Sequence, residues 1–330
     1  MLWGGFGLKI KKIAILTSGG DAPGMNAVIR AITRYSLAKN VEVVGIMHGF
    51  TGLRTGDYFS MNLRTVSDII HRGGTILYSS RDPIFKTKEG VEEAVEFCRK
   101  EKIDVVISVG GDGTLKGAHS LAKAGINSVF IPATIDNDVA CSEYAIGYDT
   151  AMNTAMEMVD KLRDTAQSHE KCSVVEVMGR NCGDIAVRTG IAVGATAIIV
   201  PEHKYNLDED IIKRIRYTQK MGKRHFIVIV AEGCEKTSEI AKKINEETGI
   251  QARYTILGHV QRGGSPTLRD RVIASTMGCY VVNDVILKNR ANRAVALSCN
   301  KVVDYDIGDS LKFKKCFDEK LYSNALEISI

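Results

Sequence analysis

Proline is scarce, five of 330 residues, which leaves no material for a Pro-rich stalk or a stiff linker. Long apolar runs are missing as well. The longest, such as Phe226–Ala231, reach strand length, against the ~20 residues needed to span a bilayer, so no membrane segment is expected. None of the eight cysteines forms a Cys-x-x-Cys pair, and several, such as Cys172 and Cys279, sit beside hydrophobic runs; buried thiols in a reducing cytoplasm are expected. His119, His169 and His203 lack metal-ligand spacing and read as structural, so zinc has no support. Charge of one sign is not in great excess: 44 − 39 = +5 is too mild to argue for nucleic acid, though it suits anionic small molecules. The apolar opening, Met1–Leu8, precedes Lys9, Lys11 and Lys12, the reverse of a secretory leader's order, so none is expected. A hydrophobic fraction of 45% with 25% charged residues excludes disorder as the main description.

Glycine is plentiful, 31 residues, and much of it lies in doublets: Gly19-Gly20, Gly73-Gly74, Gly110-Gly111 and Gly263-Gly264. Such pairs let backbone approach a ligand closely. Continuous Val/Ile runs at 13–16, 42–46, 105–109, 129–131, 174–177, 197–200, 226–230 and 255–257 read as strands buried on both faces. Helical spacing follows at 25–38, 91–101, 115–124, 150–163, 207–220 and 238–248. The alternation predicts an α/β chain with parallel sheets, and its length calls for two domains. No linker or repeat marks a boundary; the rhythm places one near residue 148, with the tail returning to one or both domains.

In an open parallel sheet, ligands bind beyond the carboxyl ends of the strands, where helix N-termini offer N–H groups to anions. Three polar segments in the first half follow strands and should converge on one edge. Thr17-Ser18-Gly19-Gly20-Asp21-Ala22-Pro23-Gly24-Met25-Asn26 is either a phosphate-binding turn or a plain strand–turn–helix, with Asp21 or Ser18 capping the helix. Gly110-Gly111-Asp112-Gly113-Thr114 is neither a P-loop nor a dinucleotide fingerprint. Asp112 suits Mg²⁺, which takes few carboxylates when phosphates supply the other oxygens; a helix N-cap is the alternative. Thr134-Ile135-Asp136-Asn137-Asp138 gathers two carboxylates, one of which could accept a proton from an attacking sugar hydroxyl; an Asx-turn is the plainer reading. The second half supplies Met178-Gly179-Arg180 and the group Arg253, His259 and Arg262. Guanidinium forks and an imidazole suit a phosphate monoester, against the alternative of solvated surface arginines.

With these motifs quoted, together with 174–180 and 257–266, the chain resembles the bacterial-type ATP-dependent 6-phosphofructokinases from about Lys11 onward. The resemblance implies two Rossmann-like parallel-sheet α/β domains with the active site in the cleft between them. The larger, ATP-binding domain would take 10–147 plus about 261–310, and the smaller, sugar-phosphate domain 148–260 plus about 311–330. It implies a glycolytic kinase that moves the ATP γ-phosphoryl group to the 1-hydroxyl of fructose 6-phosphate with Mg²⁺. A cytoplasmic, allosteric homotetramer with sites shared between subunits is implied too. Carried onto this sequence, Gly20, Arg81, Asp82, Gly111, Asp112, Gly113, Thr114 and Gly117 would line the Mg-ATP site, with Asp112 on the metal. Asp136 would be the general base, Thr134 and Asp138 assisting, and Arg81 and Arg180 would stabilise the transferring phosphoryl. Met178, Gly179, Arg180 and Glu232 would hold the sugar. His259 and Arg262 would hold its phosphate, with Lys171 and Arg253 reaching in from a neighbouring subunit.

Diphosphate-using relatives typically carry aspartate where this chain has Gly113 and lysine where it has Ala133, which favours ATP as donor. A diphosphate-dependent enzyme, a lipid or dinucleotide kinase and a non-catalytic nucleotide-binding subunit are the rivals. The basic cluster and the 134–138 segment disfavour the second, and carboxylates at both 112 and 136 disfavour the third. Lys171 replaces a customary arginine, which predicts weaker or less cooperative sugar-phosphate binding. The effector site is matched by Arg30, Arg34, Arg163, Gly194 and Lys223. It departs at Leu63, Thr196 and Met221, which predicts weak regulation by nucleoside diphosphate or phosphoenolpyruvate.

Overall fold

A computed structural model describes residues 10–234 and 236–329; the apolar opening Met1–Leu8 lies outside them. The chain divides into two compact units. The first comprises Met1–Thr134, Asp138–Gly147 and Arg262–Lys315, and the second Ile135–Asn137, Tyr148–Gln261 and Cys316–Ile330.

The first unit is built on a seven-stranded sheet of β1 (Lys12–Ser18), β2 (Glu42–Ile46), β3 (Tyr58–Ser60), β4 (Val105–Gly110), β5 (Ser128–Pro132), β10 (Arg293–Ser298) and β11 (Lys301–Asp306). Its order is β11-β10-β5-β4-β1-β2-β3. The five inner strands run parallel and the two edge strands antiparallel, so the parallel rule holds only inside the sheet. Strand β1 is buried from Ile13 to Ser18 and β4 throughout, as continuous Val/Ile runs require when helices cover both faces. Those helices are α1 (Met25–Ala38), α2 (Phe50–Thr55), α3 (Lys88–Lys100) and α4 (Asp112–Lys123). One face of β1, β2 and β4 (Ala14, Leu16, Val44, Ile46 and Val106) packs with Phe50, Leu53, Phe85, Ala94, Val95 and Leu121 in a single cluster.

The second unit holds a four-stranded, all-parallel sheet ordered β7-β8-β6-β9, from β6 (Cys172–Val177), β7 (Ala197–Ile199), β8 (Phe226–Ala231) and β9 (Ala252–Ile256). Around it run α5 (Tyr148–Ser168), α6 (Asp184–Ala192), α7 (Lys213–Lys220) and α8 (Thr237–Thr248). Helix α9 (Leu268–Tyr280) and the short α10 (Ile307–Ser310) belong to the first unit, and α11 (Glu319–Glu327) returns to the second.

Three expectations change. The strand expected at 255–257 lies at 252–256 and is an edge, so Tyr254 and Ile256 are 52% and 57% exposed rather than buried. Residues 207–220 are not one regular α-helix: Leu207–Ile212 winds as π-helix, capped by the Asn206 side chain, before α7 begins. Neither Asp21 nor Ser18 caps α1. Gly24 occupies that position at φ +107°, a conformation open to glycine, and makes no side-chain cap. Among the described cysteines, Cys98, Cys141, Cys172 and Cys182 are buried and Cys279 is half-buried, but Cys299 and Cys316 are exposed.

Candidate active site

Strand register decides what the first unit can assemble. Ser18 at the end of β1 pairs with Gly110 at the end of β4, and Gly110 pairs with Pro132 at the end of β5. The three polar segments therefore leave adjacent strands side by side at the carboxyl edge. Cross-links tie them together: the Thr114 hydroxyl donates to the Ser18 carbonyl at 3.0 Å, and the Ala133 N–H to the Gly110 carbonyl at 2.8 Å. A Cβ added to Gly111 would lie 3.5 Å from the Thr134 Cβ. Glycine and small hydroxyl residues are thus what the close packing of these loops demands.

Gly20 and Arg81 line a cavity of about 390 Å³ with Gly19, Asp21, Thr75, Tyr78, Ser79 and Arg262. The Arg262 guanidinium lies so near Gly20 that an added Cβ would meet its Nη1 at 3.1 Å, and its Nε is buried without an acceptor. Two guanidiniums around glycine backbone are the donor set that an anion requires. Within this unit Arg262 therefore groups with Gly20 and Arg81. His259, which the resemblance sets with Arg262 on the sugar's phosphate, belongs to the second unit, in the helical turn Gly258–Arg262.

Asp112 opens α4 rather than capping it; Gly111 holds the cap position. Its carboxylate stays 39% exposed and takes the Lys116 ammonium at 2.6 Å, one turn along the helix. A Cβ on Gly113 would meet nothing within 4 Å, so this position faces open space. Gly117 differs: a Cβ there would strike the Phe50 ring at 2.6 Å, because Phe50 and Phe85 stack over it at 4.2 Å between centroids. This aromatic pair was not read from the sequence, because its members lie 35 residues apart. Asp82 does not line the cavity. Its side chain is 4% exposed and is taken up by Arg54 and the N–H groups of Ile84 and Phe85.

In the second unit, Glu232 organises the backbone after β6. Its Oε1 accepts N–H groups from Gly179 at 3.3 Å and Arg180 at 2.5 Å. Gly179 at φ +144° and Arg180 at φ +54° form the sharp turn that presents both N–H groups. Gln261 adds a third tie, its Oε1 accepting the Met178 N–H at 2.8 Å. Gln261 is fully buried and was missed by sequence reasoning, although it sits inside a quoted motif. The unit thus brings Met178, Gly179, Arg180 and Glu232 together. Asp136 is buried, and its neighbour Asn137 donates to Asp184 at 3.1 Å on the first turn of α6. Thr134 and Asp138, assigned to the first unit, flank that short segment in sequence.

Lys171 and Arg253 stand elsewhere. Lys171 precedes β6 and Arg253 pairs with Ser173 near its start, whereas Met178 follows its end. A strand of six residues puts roughly 20 Å between those ends, so these cations do not join the Met178–Glu232 cluster of their own chain. Of the residues expected at an effector site, Arg30 and Arg34 lie on α1. Arg163 donates to the carbonyl of Val193, next to Gly194. Lys223 is held below the usual lysine range, by burial first and then by Arg163. His225, not read from the sequence, is pushed down by burial and by both cations, which marks a basic cluster. Leu63 and Met221 are exposed, and Thr196 is fully buried.

A family model described as phosphofructokinase matches residues 12–285. An ATP-dependent 6-phosphofructokinase of Clostridium tetani is 50% identical over 97% of this chain and 100% of its own length. The structure of phosphofructokinase from Saccharomyces cerevisiae superposes with a TM-score of 0.86 at 30% identity, covering 97% of this chain and 48% of that one. A pyrophosphate-dependent phosphofructokinase from Marinobacter aquaeolei superposes at 0.81 with 18% identity, over 96% of this chain and 91% of its own, and shares the fold alone.

Proposed function

The chain belongs to the phosphofructokinase family, and from that premise we propose that it transfers the γ-phosphoryl group of ATP to the 1-hydroxyl of fructose 6-phosphate. The observation that carries the reading is the register of β1, β4 and β5, which sets Gly20, the Gly111–Thr114 turn and Thr134 on adjoining loops. Phosphoryl transfer asks mainly for positioning and for charge stabilisation. The first unit offers glycine backbone and Arg81, which we assign to ATP, whereas its Arg262 we assign to the phosphate of the sugar. The second offers Met178, Gly179, Arg180 and Glu232, which we assign to the sugar, with His259 and a neighbouring chain's Lys171 and Arg253 joining Arg262 on its phosphate. Arg81 and Arg180 would neutralise the transferring group, and Asp136 would take the hydroxyl proton, with Thr134 and Asp138 beside it in sequence.

The residues present fit Mg²⁺. Asp112 offers a partly exposed carboxylate, Gly113 after it faces open space, and no cluster of three or more His, Cys, Asp or Glu competes for a cation among the described residues. One carboxylate suffices when phosphate oxygens complete the shell. Bound there with ATP, the ion supplies charge neutralisation on the phosphates. ATP rather than diphosphate as donor is favoured by Gly113, whose open side leaves room for an α-phosphate, and by Ala133, which is fully buried. The far placement of Lys171 and Arg253, with Tyr254 and Ile256 exposed on the same edge strand, suits an oligomer in which these cations serve another subunit. A homotetramer with weakened effector control is the form we assign. No described helix is long and apolar enough to cross a membrane, and a cytoplasmic place accords with the activity.

A coupled assay for fructose 1,6-bisphosphate tests the reading. Product from ATP and fructose 6-phosphate by the wild type, with clearly less after Arg180→Ala at equal concentration, supports it; no product from either protein refutes it.

A further inference from the structure

Between Arg81 and the Phe50–Phe85 stack runs a segment with little regular structure of its own, so something must hold it. Helix α2 does this at two points one turn apart. The Thr51 hydroxyl lies 2.7 Å from that of Ser80, and the Ser80 hydroxyl in turn donates to the His48 carbonyl at 2.6 Å. Arg54 donates through Nε to Asp82 at 3.2 Å, and through Nη1 to Glu93 of α3 at 2.9 Å. Asp82 passes the constraint on: its Oδ1 accepts N–H groups from Ile84 at 2.9 Å and Phe85 at 3.3 Å. Burial pushes the Asp82 carboxyl up, but Arg54 and the two N–H groups outweigh it and hold it below the ordinary range. The Arg54 side chain is 16% exposed and Asp82 4%, so this pair is shielded from the solvent that makes surface pairs weak. Glu93, at 50%, is the outer, more solvent-screened partner.

We infer that Arg54 is a positioning residue for nucleotide binding: through Asp82 it fixes the backbone between Arg81 and Phe85, and with it the arginine and the aromatic pair beside Gly117. This rests on the assignment of the first unit to ATP. Asp82, expected from the sequence to contact the nucleotide, instead acts through the loop. Arginine is needed because it reaches two carboxylates at once with a planar fork, which a lysine's single ammonium does not reproduce.

The test measures Mg-ATP binding by calorimetry and steady-state constants for both substrates, on wild type, Arg54→Gln, Arg54→Lys and Glu93→Gln. Arg54→Gln should weaken Mg-ATP binding about tenfold, with kcat at saturating ATP and the KM for fructose 6-phosphate within about twofold. Arg54→Lys, which keeps the charge, should recover to about threefold weaker than wild type, and Glu93→Gln should stay within about twofold. Should Arg54→Gln not fold, the Lys variant decides, by a threefold loss confined to ATP or none. ATP affinity unchanged in the Arg54 variants, or equal weakening of both substrates, overturns the inference. A wild type that binds diphosphate but no Mg-ATP would overturn the functional reading itself, a different result from normal binding by both wild type and variant.

Discussion

The two units build their candidate half-sites from different materials. In the first, glycines 20, 111 and 113 and the hydroxyls of Thr114 and Thr134 leave adjoining parallel strands, so strand register brings them together, and bonds such as Thr114 to Ser18 and Arg54 to Asp82 then tie the loops. In the second, side chains shape the backbone from a distance: Glu232 and Gln261 hold the 178–180 turn across 52 to 83 residues of sequence. Flexible-backbone motifs leave a local signature; long-range side-chain anchors do not. The contrast also predicts which substitutions hurt which substrate.

The largest effect should come from Asp136→Asn. A proton acceptor of this kind is worth about 10²–10⁴ in rate, so kcat should fall in that range with both KM values within a few-fold. A loss below tenfold would remove Asp136 from that role. Next, Glu232→Gln strikes only the second unit. A charge-assisted bond to backbone N–H is worth about 1.5–3 kcal/mol, so the KM for fructose 6-phosphate should rise about 10- to 100-fold while that for ATP stays put. Equal changes in both would erase the contrast between the units. Gly113→Asp is the converse. Its open surroundings keep the fold intact, yet a carboxylate beside Asp112 should raise the KM for ATP about tenfold or more and spare the sugar phosphate. Lys171→Arg should act least, lowering half-saturation for fructose 6-phosphate about two- to threefold by restoring a bidentate fork. An unchanged curve would discard that idea.

Much of the fold was legible where the hydrophobic signal is strong. Residues 25–38 and 42–46 have the observed bounds of α1 and β2, because a stripe at helical spacing and a continuous apolar run each match one period. Helix α9 went unread because its buried face is Asp270, Ala274, Met277 and Gly278, with little apolar contrast. The β10–β11 hairpin went unread because β11 is only half-buried at the sheet's edge, and β3 because it is three residues long. In the candidate site, the glycine and hydroxyl motifs were visible. Gln261 and the Phe50–Phe85 stack were not, since each matters only through a residue distant in sequence, and His225 joins its cluster through the distant Arg163 as well as Lys223. Arg54 belongs with them: it reads as one more surface arginine until the pairing with Asp82 is seen.

The most direct test is donor choice. The purified 330-residue chain is given fructose 6-phosphate and Mg²⁺ with either ATP or diphosphate, and fructose 1,6-bisphosphate is followed over time. Turnover with ATP well above that with diphosphate is the predicted result. Turnover with diphosphate equal to or faster than with ATP would contradict it.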